Sequence, residues 1–340
     1  KSEKKQNPFL FFGYTDRILV IADNVAKLYA ININTGELLW EKKNTAPYNS
    51  QVKIYKDNIY VVDYNNTLKA YSINNGDEIW STKTQKSFIR SQKKLSLAIK
   101  NEKIYFNNSL GDISSVDINN GNLIWQIPTQ SSLAFDTGFF LKTSDIVVEK
   151  NALFFSNNQN EFFSLDAQTG NLNWKQEINS NLRPVIINDL IFTISMEGYL
   201  IIMEKNTGNI IRSNYLLNKF KAKNRLKIRP AGFIVGNKNI YLSTNIGRFL
   251  VIDIATGKAR TILKIDNKKI SRPAIFNKNL YLITDNSIIK FFADFSIIVC
   301  ISIIFSTLTC QEDENSANLR FPSITIMVSF FNNSLNILPF

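Results

Sequence analysis

Residues 28–40, LYAININTGELLW, recur along the chain without a gap as LKAYSINNGDEIW at 68–80, ISSVDINNGNLIW at 113–125 and FFSLDAQTGNLNW at 162–174. Two looser copies follow, LIIMEKNTGNIIR at 200–212 and FLVIDIATGKART at 249–261. The aligned glycines are Gly36, Gly76, Gly121, Gly170, Gly208 and Gly257, spaced 38 to 49 residues apart. Repeats of this length, each one supersecondary unit, are the sequence signature of stacked sheets. In each copy an alternating strand runs into a turn whose glycine accepts positive φ without steric cost. Four residues before the glycine stands Asn32, Ser72, Asp117, Asp166, Glu204 or Asp253, a short polar or acidic group suited to accept hydrogen bonds from the turn's own amides. Four residues after it stand Trp40, Trp80, Trp125 and Trp174 in the first four copies. An indole at a fixed place in successive units can wedge between neighbouring sheets and bury a large apolar area.

Upstream of each copy lies an apolar run: 17–21, 58–62, 103–106, 152–155, 190–194 and 239–242. Another short run precedes most of these, as at 51–55, 144–149, 183–187, 229–235 and 272–276. Each unit thus supplies four strands, and nothing reads as a long amphipathic helix. The pattern predicts an all-β propeller of four-stranded antiparallel blades, six clear and a partial seventh whose third strand breaks off at 288–291. Residues 1–8 read as a polar linker and 9–291 as the repeat domain.

Composition narrows the chemistry. The 340 residues are 44% hydrophobic, enough for a sizeable core, and include no histidine. That removes His-ligated metals, Ser-His-Asp triads and imidazole acid–base work. Both cysteines, Cys300 and Cys310, lie near the end, so the repeat region has no thiol chemistry of its own. No phosphate-binding loop or dinucleotide fingerprint is present. Residues 291–340 hold four acids and one base, so the +12 of the chain leaves +15 on the first 290. Such a balance suits an anionic partner, and it also follows from a coding bias toward Lys, Asn and Ile.

The strand, D-x-x-T-G turn and following Trp resemble the pyrroloquinoline-quinone-type propeller repeat over residues 9–291. Two kinds of family share it: periplasmic quinoprotein dehydrogenases and the BamB-type lipoproteins, scaffolds in the machinery that folds outer-membrane β-barrels. A dehydrogenase implies a catalytic Asp, carboxylate ligands for calcium, an Arg near the quinone and, in alcohol-oxidising members, a vicinal disulfide. The recurring acids here occupy turn positions, and no cysteine precedes residue 300. The resemblance therefore favours a non-catalytic, periplasmic, outer-membrane-associated scaffold without cofactor or metal, acting as a monomer within a complex. A quinone-dependent dehydrogenase and an adaptor for some other protein are the alternatives. The family ring of eight blades implies missing sequence at the N-terminus. In the BamB-type family the partner is the central barrel-assembly protein, met through a loop patterned apolar, any residue, apolar, Arg. The matching stretch reads Ser87-Phe88-Ile89-Arg90-Ser91, which assigns Ile89 and Arg90 to the partner, with Asp145 as the nearest match to the family's later acidic loop.

Two further features stand apart. Lys219, Lys221, Lys223, Arg225, Lys227 and Arg229 fall at every second residue. At a strand's period of two they share one face, either a solvated edge or a stripe docking on an anionic surface such as lipid headgroups. Nucleic acid is not expected, because aromatics do not interleave with these charges. From residue 292 the repeat pattern stops, and 295–309 is a charge-free run too short to span a bilayer. The tail 292–340 reads as foreign to the fold, with a tail anchor as the alternative.

Overall fold

Each repeat folds as a sheet of its own, because its strands are joined by turns too short to reach anything but the neighbouring strand. A computed structural model describes residues 9–84, 94–129, 141–277, 279–293, 299–304 and 325–328. Among these, seven antiparallel sheets form, with strands in sequence order. The first comprises β1 (Leu10–Tyr14), β2 (Ile18–Asp23), β3 (Lys27–Asn32) and β4 (Leu38–Lys43). The second comprises β5 (Lys53–Tyr55), β6 (Asn58–Val62), β7 (Thr67–Ser72) and β8 (Glu78–Lys83). The third comprises β9 (Leu97–Lys100), β10 (Lys103–Asn107), β11 (Ile113–Asp117) and β12 (Leu123–Ile127). The fourth comprises β13 (Val147–Glu149), β14 (Ala152–Asn157), β15 (Glu161–Asp166) and β16 (Leu172–Gln176). These four make one compact unit, residues 1–181.

The second unit, 182–340, holds the rest. Its first sheet, the fifth of the chain, is β17 (Val185–Ile187), β18 (Leu190–Ile194), β19 (Tyr199–Glu204) and β20 (Ile210–Tyr215). A helical turn, α1 (Ala222–Arg225), leads to the sixth: β21 (Pro230–Val235), β22 (Asn239–Thr244), β23 (Arg248–Asp253) and β24 (Ala259–Lys264). The seventh is β25 (Ala274–Phe276), β26 (Asn279–Ile283), β27 (Ile288–Ala293), β28 (Val299–Ile304) and β29 (Thr325–Val328). The fold class is the all-β propeller of four-stranded antiparallel blades.

The seventh sheet differs from the expected fragment. Its third strand runs through Ala293, and Phe292 is buried with its ring stacked on Phe249. Beyond it, β28 pairs with β27, and β29 with β28. The outer edge of β27 presents amides and carbonyls that β28 satisfies, and β29 does the same for the outer edge of β28.

A row of three side chains crosses the middle of every repeat. In the first four sheets a large residue on the second strand faces a small one on the third, which faces the indole: Val20–Ala30–Trp40, Tyr60–Ala70–Trp80, Tyr105–Ser115–Trp125 and Phe154–Ser164–Trp174. The small central residue lets the aromatics meet over it, with ring centroids 5.8–6.0 Å apart in sheets two to four. Where the indole is lost the centre grows, as Phe192–Ile202–Arg212 and Tyr241–Val251–Thr261.

The indoles also join sheets. Trp40, Trp80 and Trp125 donate Nε1–H to the carbonyls of Ile73, Ile118 and Ala167 on the next sheet, at 2.9, 3.2 and 3.3 Å. Arg212 makes the equivalent contact, donating to Ile254 O at 2.9 Å and Ala255 O at 2.7 Å. Between consecutive sheets within each unit lie the buried apolar clusters, for example Tyr60, Leu68, Leu97, Ile104 and Phe106 between sheets two and three.

Candidate protein-binding end of the sheets

The up-and-down order gives each sheet two unlike ends. One carries the glycine turn between the third and fourth strands. There Gly36, Gly76, Gly121, Gly170, Gly208 and Gly257 each donate N–H to the carbonyl four residues back, at 2.8–3.0 Å. Side chains at that earlier position cap the turn: Asp117 accepts from Asn119 and Asn120, Asp166 from Gln168 and Thr169. Those turn bonds, led by the Thr169 amide, hold the Asp166 carboxyl below the usual carboxylate range. The Thr256 amide does the same for Asp253. This end is spent on structure.

The other end carries the turn between the second and third strands and the exit toward the next sheet. Its punctuation is a polar residue followed three positions later by a left-handed one: Asp23 and Ala26, Asp63 and Asn66, Asn108 and Gly111, Asn157 and Asn160, Ser195 and Gly198, Thr244 and Gly247, Thr284 and Ser287. Asp23 accepts from the amides of Val25 and Lys27, Asp63 from Asn65 and Thr67, Asn108 from Leu110 and Asp112. The carbonyl of the left-handed residue then accepts from the chain as it leaves the fourth strand: Ala26 from Asn44, Asn66 from Thr84, Gly198 from Leu216 and Gly247 from Ile265.

In the first unit this end holds the supports of two connections. Before residues 85–93, Thr84 is buried and donates both N–H (3.2 Å) and Oγ1–H (3.0 Å) to Asn66 O. Asn66 is itself fixed from the third sheet, its Oδ1 accepting from Ser109 N (3.0 Å) and Ser109 Oγ (2.6 Å). After that segment, buried Leu95 exchanges backbone bonds with Asn49 and Gln51. Before residues 130–140, Thr129 Oγ1 donates to Gly111 O at 2.8 Å, and afterwards Lys142 N donates to Asn158 Oδ1 at 2.7 Å. Asn107 Nδ2 donates to Thr143 Oγ1 at 2.6 Å and ties the third sheet to the fourth. At the same end, between the approach to β5 and the β6–β7 turn, Thr45, Ala46, Pro47, Tyr64 and Asn65 line a shallow recess of about 400 Å³. Below it the hydroxyls of Tyr48 and Tyr71 meet at 2.9 Å between sheets one and two, and burial raises the pKa of both.

Of the residues assigned from sequence, Ile89 and Arg90 lie outside the described residues, in the segment hung from Thr84 and Leu95. Asp145 is half-buried ahead of β13, after the second connection, and forms no ion pair among the described residues. The structural glycines and indoles stand at turns and sheet seams as described above. The basic run 219–229 is not a strand. It forms α1 and turns closed by Asn224 N to Lys221 O, Lys227 N to Asn224 O and Ile228 N to Arg225 O. Among the described residues no strand pairs with it, and Ala, Lys and Arg favour a helical turn, so strand alternation does not place the six cations on one face. Sequence reading missed the supports Asn66, Thr84, Ser109, Thr129 and Thr143. The signal available was the polar residue ending each second strand, obscured because Asp, Asn, Ser and Thr all serve.

Among the described residues no three acidic, cysteine or histidine side chains gather as metal ligands. No helix among them is long and apolar enough to cross a membrane.

The family model described as outer membrane protein assembly factor BamB matches residues 4–214. The chain belongs to the BamB family. Among solved structures, BamB from Moraxella catarrhalis superposes with a TM-score of 0.71 at 16% identity, covering 83% of each chain. The computationally designed Ika8 protein gives 0.66 at 13%, covering 88% of this chain and 94% of its own. Quinohemoprotein alcohol dehydrogenase from Comamonas testosteroni gives 0.61 at 12%, covering 83% of this chain and 64% of its own. At these identities the likeness is one of fold, and it takes in a designed protein and an enzyme as well as a BamB. No curated protein is similar enough in sequence to count as a relative.

Proposed function

We propose that this BamB-family chain is a non-catalytic periplasmic scaffold, associated with the outer membrane, that assists assembly of β-barrel proteins. Its partner surface is the exit end of the first unit's sheets, and the residues it offers are Ile89, Arg90 and Asp145. The observation that carries this reading is the support given to residues 85–93. A connection whose two roots are buried and hydrogen-bonded across two sheets keeps its attachment points fixed, which lowers the entropy cost of presenting a binding segment. An apolar residue next to an Arg in sequence, as in Ile89-Arg90, is the composition of an interface anchor. The family match to residues 4–214 spans this whole region.

The experiment is crosslinking in cells from a photoreactive residue at position 89, followed by identification of the captured protein. Capture of the central barrel-assembly protein, lost on Arg90→Ala, supports the proposal. Capture of an unrelated protein would turn the reading toward a general adaptor. The dehydrogenase likeness has its own assay, dye reduction after incubation with the quinone and calcium, and turnover there would end the scaffold reading.

A further inference from the structure

The connection from β20 to β21 carries a helical turn, which the other described connections between sheets lack. Leu216, Leu217 and Ile228 are buried in the core between sheets five and six, and Phe220 packs against them. Asn245 clamps the far side, its Oδ1 accepting from Arg229 N at 2.7 Å and its Nδ2 donating to Lys227 O at 3.0 Å. Arg225 braces the interior by donating to Phe220 O and Asn218 O, both at 2.8 Å. With so many internal ties the segment holds a set shape.

That shape holds Leu226 at 80% exposure. Every other large apolar residue in the segment is at least partly buried, so the exposure is specific to this position. Within five residues of it in the chain lie exposed Lys221, Lys223 and Lys227, whose side chains form neither an ion pair nor a hydrogen bond among the described residues. No Asp or Glu occurs from Leu216 to Arg229 to offset the six cations.

We propose that this connection docks the protein on an anionic lipid bilayer, with Leu226 entering the acyl boundary and Lys221, Lys223 and Lys227 on headgroup phosphates. Concentrated positive charge selects an anionic surface, and its strength adds with each cation. One projecting apolar side chain without a groove around it matches a fluid interface, which needs no complementary shape, better than an acidic protein face, which does. The helical turn and its hydrogen bonds hold the leucine and these lysines within one short, well-tied segment. This reading does not depend on the partner segment of the first unit.

Flotation of the full chain with vesicles tests it. Phosphatidylcholine vesicles containing phosphatidylglycerol should carry the protein, pure phosphatidylcholine vesicles should not, and added salt should release it. Replacing Lys221, Lys223 and Lys227 with Gln should weaken partitioning by about tenfold or more. Leu226→Ser, which leaves charge and core untouched, should weaken it by about fivefold. The same three-charge loss at exposed Lys83, Lys150 and Lys238 should change it little. Equal loss in that control, insensitivity to Leu226→Ser, or no binding to anionic vesicles would overturn the proposal. So would tighter binding of soluble polyglutamate than of vesicles, which would assign the cations to an acidic protein.

Discussion

The two ends of each sheet solve the same problem, reversing a strand within a few residues, and they solve it with different tolerance. At the glycine end the turn is pressed against the preceding sheet. A Cβ on Gly76 would lie 2.6 Å from the Trp40 ring, and one on Gly121 would lie 2.6 Å from that of Trp80, both at positive φ. Conformation and space together leave one acceptable residue. At the exit end an acceptor and a left-handed backbone suffice in several sheets, as Ala26, Asn66, Asn160 and Ser287 show, although Gly198 against Leu217 and Gly247 against the Asp266 backbone are held by space as well. The constrained end therefore repeats in sequence, while the tolerant end is free to vary and carries the connections that differ between sheets.

The largest expected effect comes from breaking the constrained end. Gly121→Ala places a methyl group against Trp80 in a conformation that already disfavours it. It should cost about 3 kcal/mol, read as a lowered urea midpoint at unchanged slope. A loss below about 1 kcal/mol would mean that the seam between sheets two and three yields easily. The second effect falls on the tolerant end at its most loaded position. Asn66→Ala leaves the Ser109 amide and hydroxyl without their acceptor and puts Ala in the left-handed region, costing about 2–3 kcal/mol. Asn66→Gly restores the backbone but not the bonds, so it should recover only part of that loss. Full recovery would show that the side chain does not tie the sheets.

This asymmetry also explains what could be read beforehand. The blade class was legible because Gly36, Gly76, Gly121 and Gly170 all hold positive φ, and because Trp40, Trp80, Trp125 and Trp174 recur at one fixed spacing from them. The row behind them was legible in part: Ala70 and Ser164 opposite Trp look like ordinary strand residues until the register pairs them. The supports of the candidate surface were not legible. Thr84 and Thr129 act through carbonyls of turns 18 residues earlier, and such partners follow from topology rather than from spacing in the chain. The basic run misled for a related reason. Its alternation is real, but among the described residues no strand pairs with it, and local helical bonds decide its shape. The seventh sheet was read short because its outer strands come from outside the repeat.

Tolerance at the exit end should be measurable as room for improvement. Ala26 holds φ at 75°, a conformation that costs an L-residue about 1–2 kcal/mol and glycine almost nothing. Part of that gain returns as entropy of the unfolded chain, so Ala26→Gly should stabilise the protein by roughly 0.5–1 kcal/mol. The thermal midpoint checks it, and a destabilised variant would show that the methyl group makes packing contacts worth more than the strain.

The smallest effect sharpens the comparison from the glycine end, where the caps differ in whether they titrate. Asp166 caps the fourth sheet's turn and Ser72 the second's. The amides of Thr169 and Gln168 bond the ionised carboxylate, so the folded pKa lies below the ordinary 3.8. A carboxylate depressed on folding stabilises the protein fully above its unfolded value, and the contribution is lost as pH falls through the lower folded one. Acid titration of stability should therefore fall less steeply below about pH 4 in Asp166→Ser than in the parent. At neutral pH the variant should be slightly the less stable of the two. Parallel acid limbs would mean that the turn's amides hold a serine hydroxyl as well as they hold the charge, and that this end is tolerant at its cap while strict at its glycine.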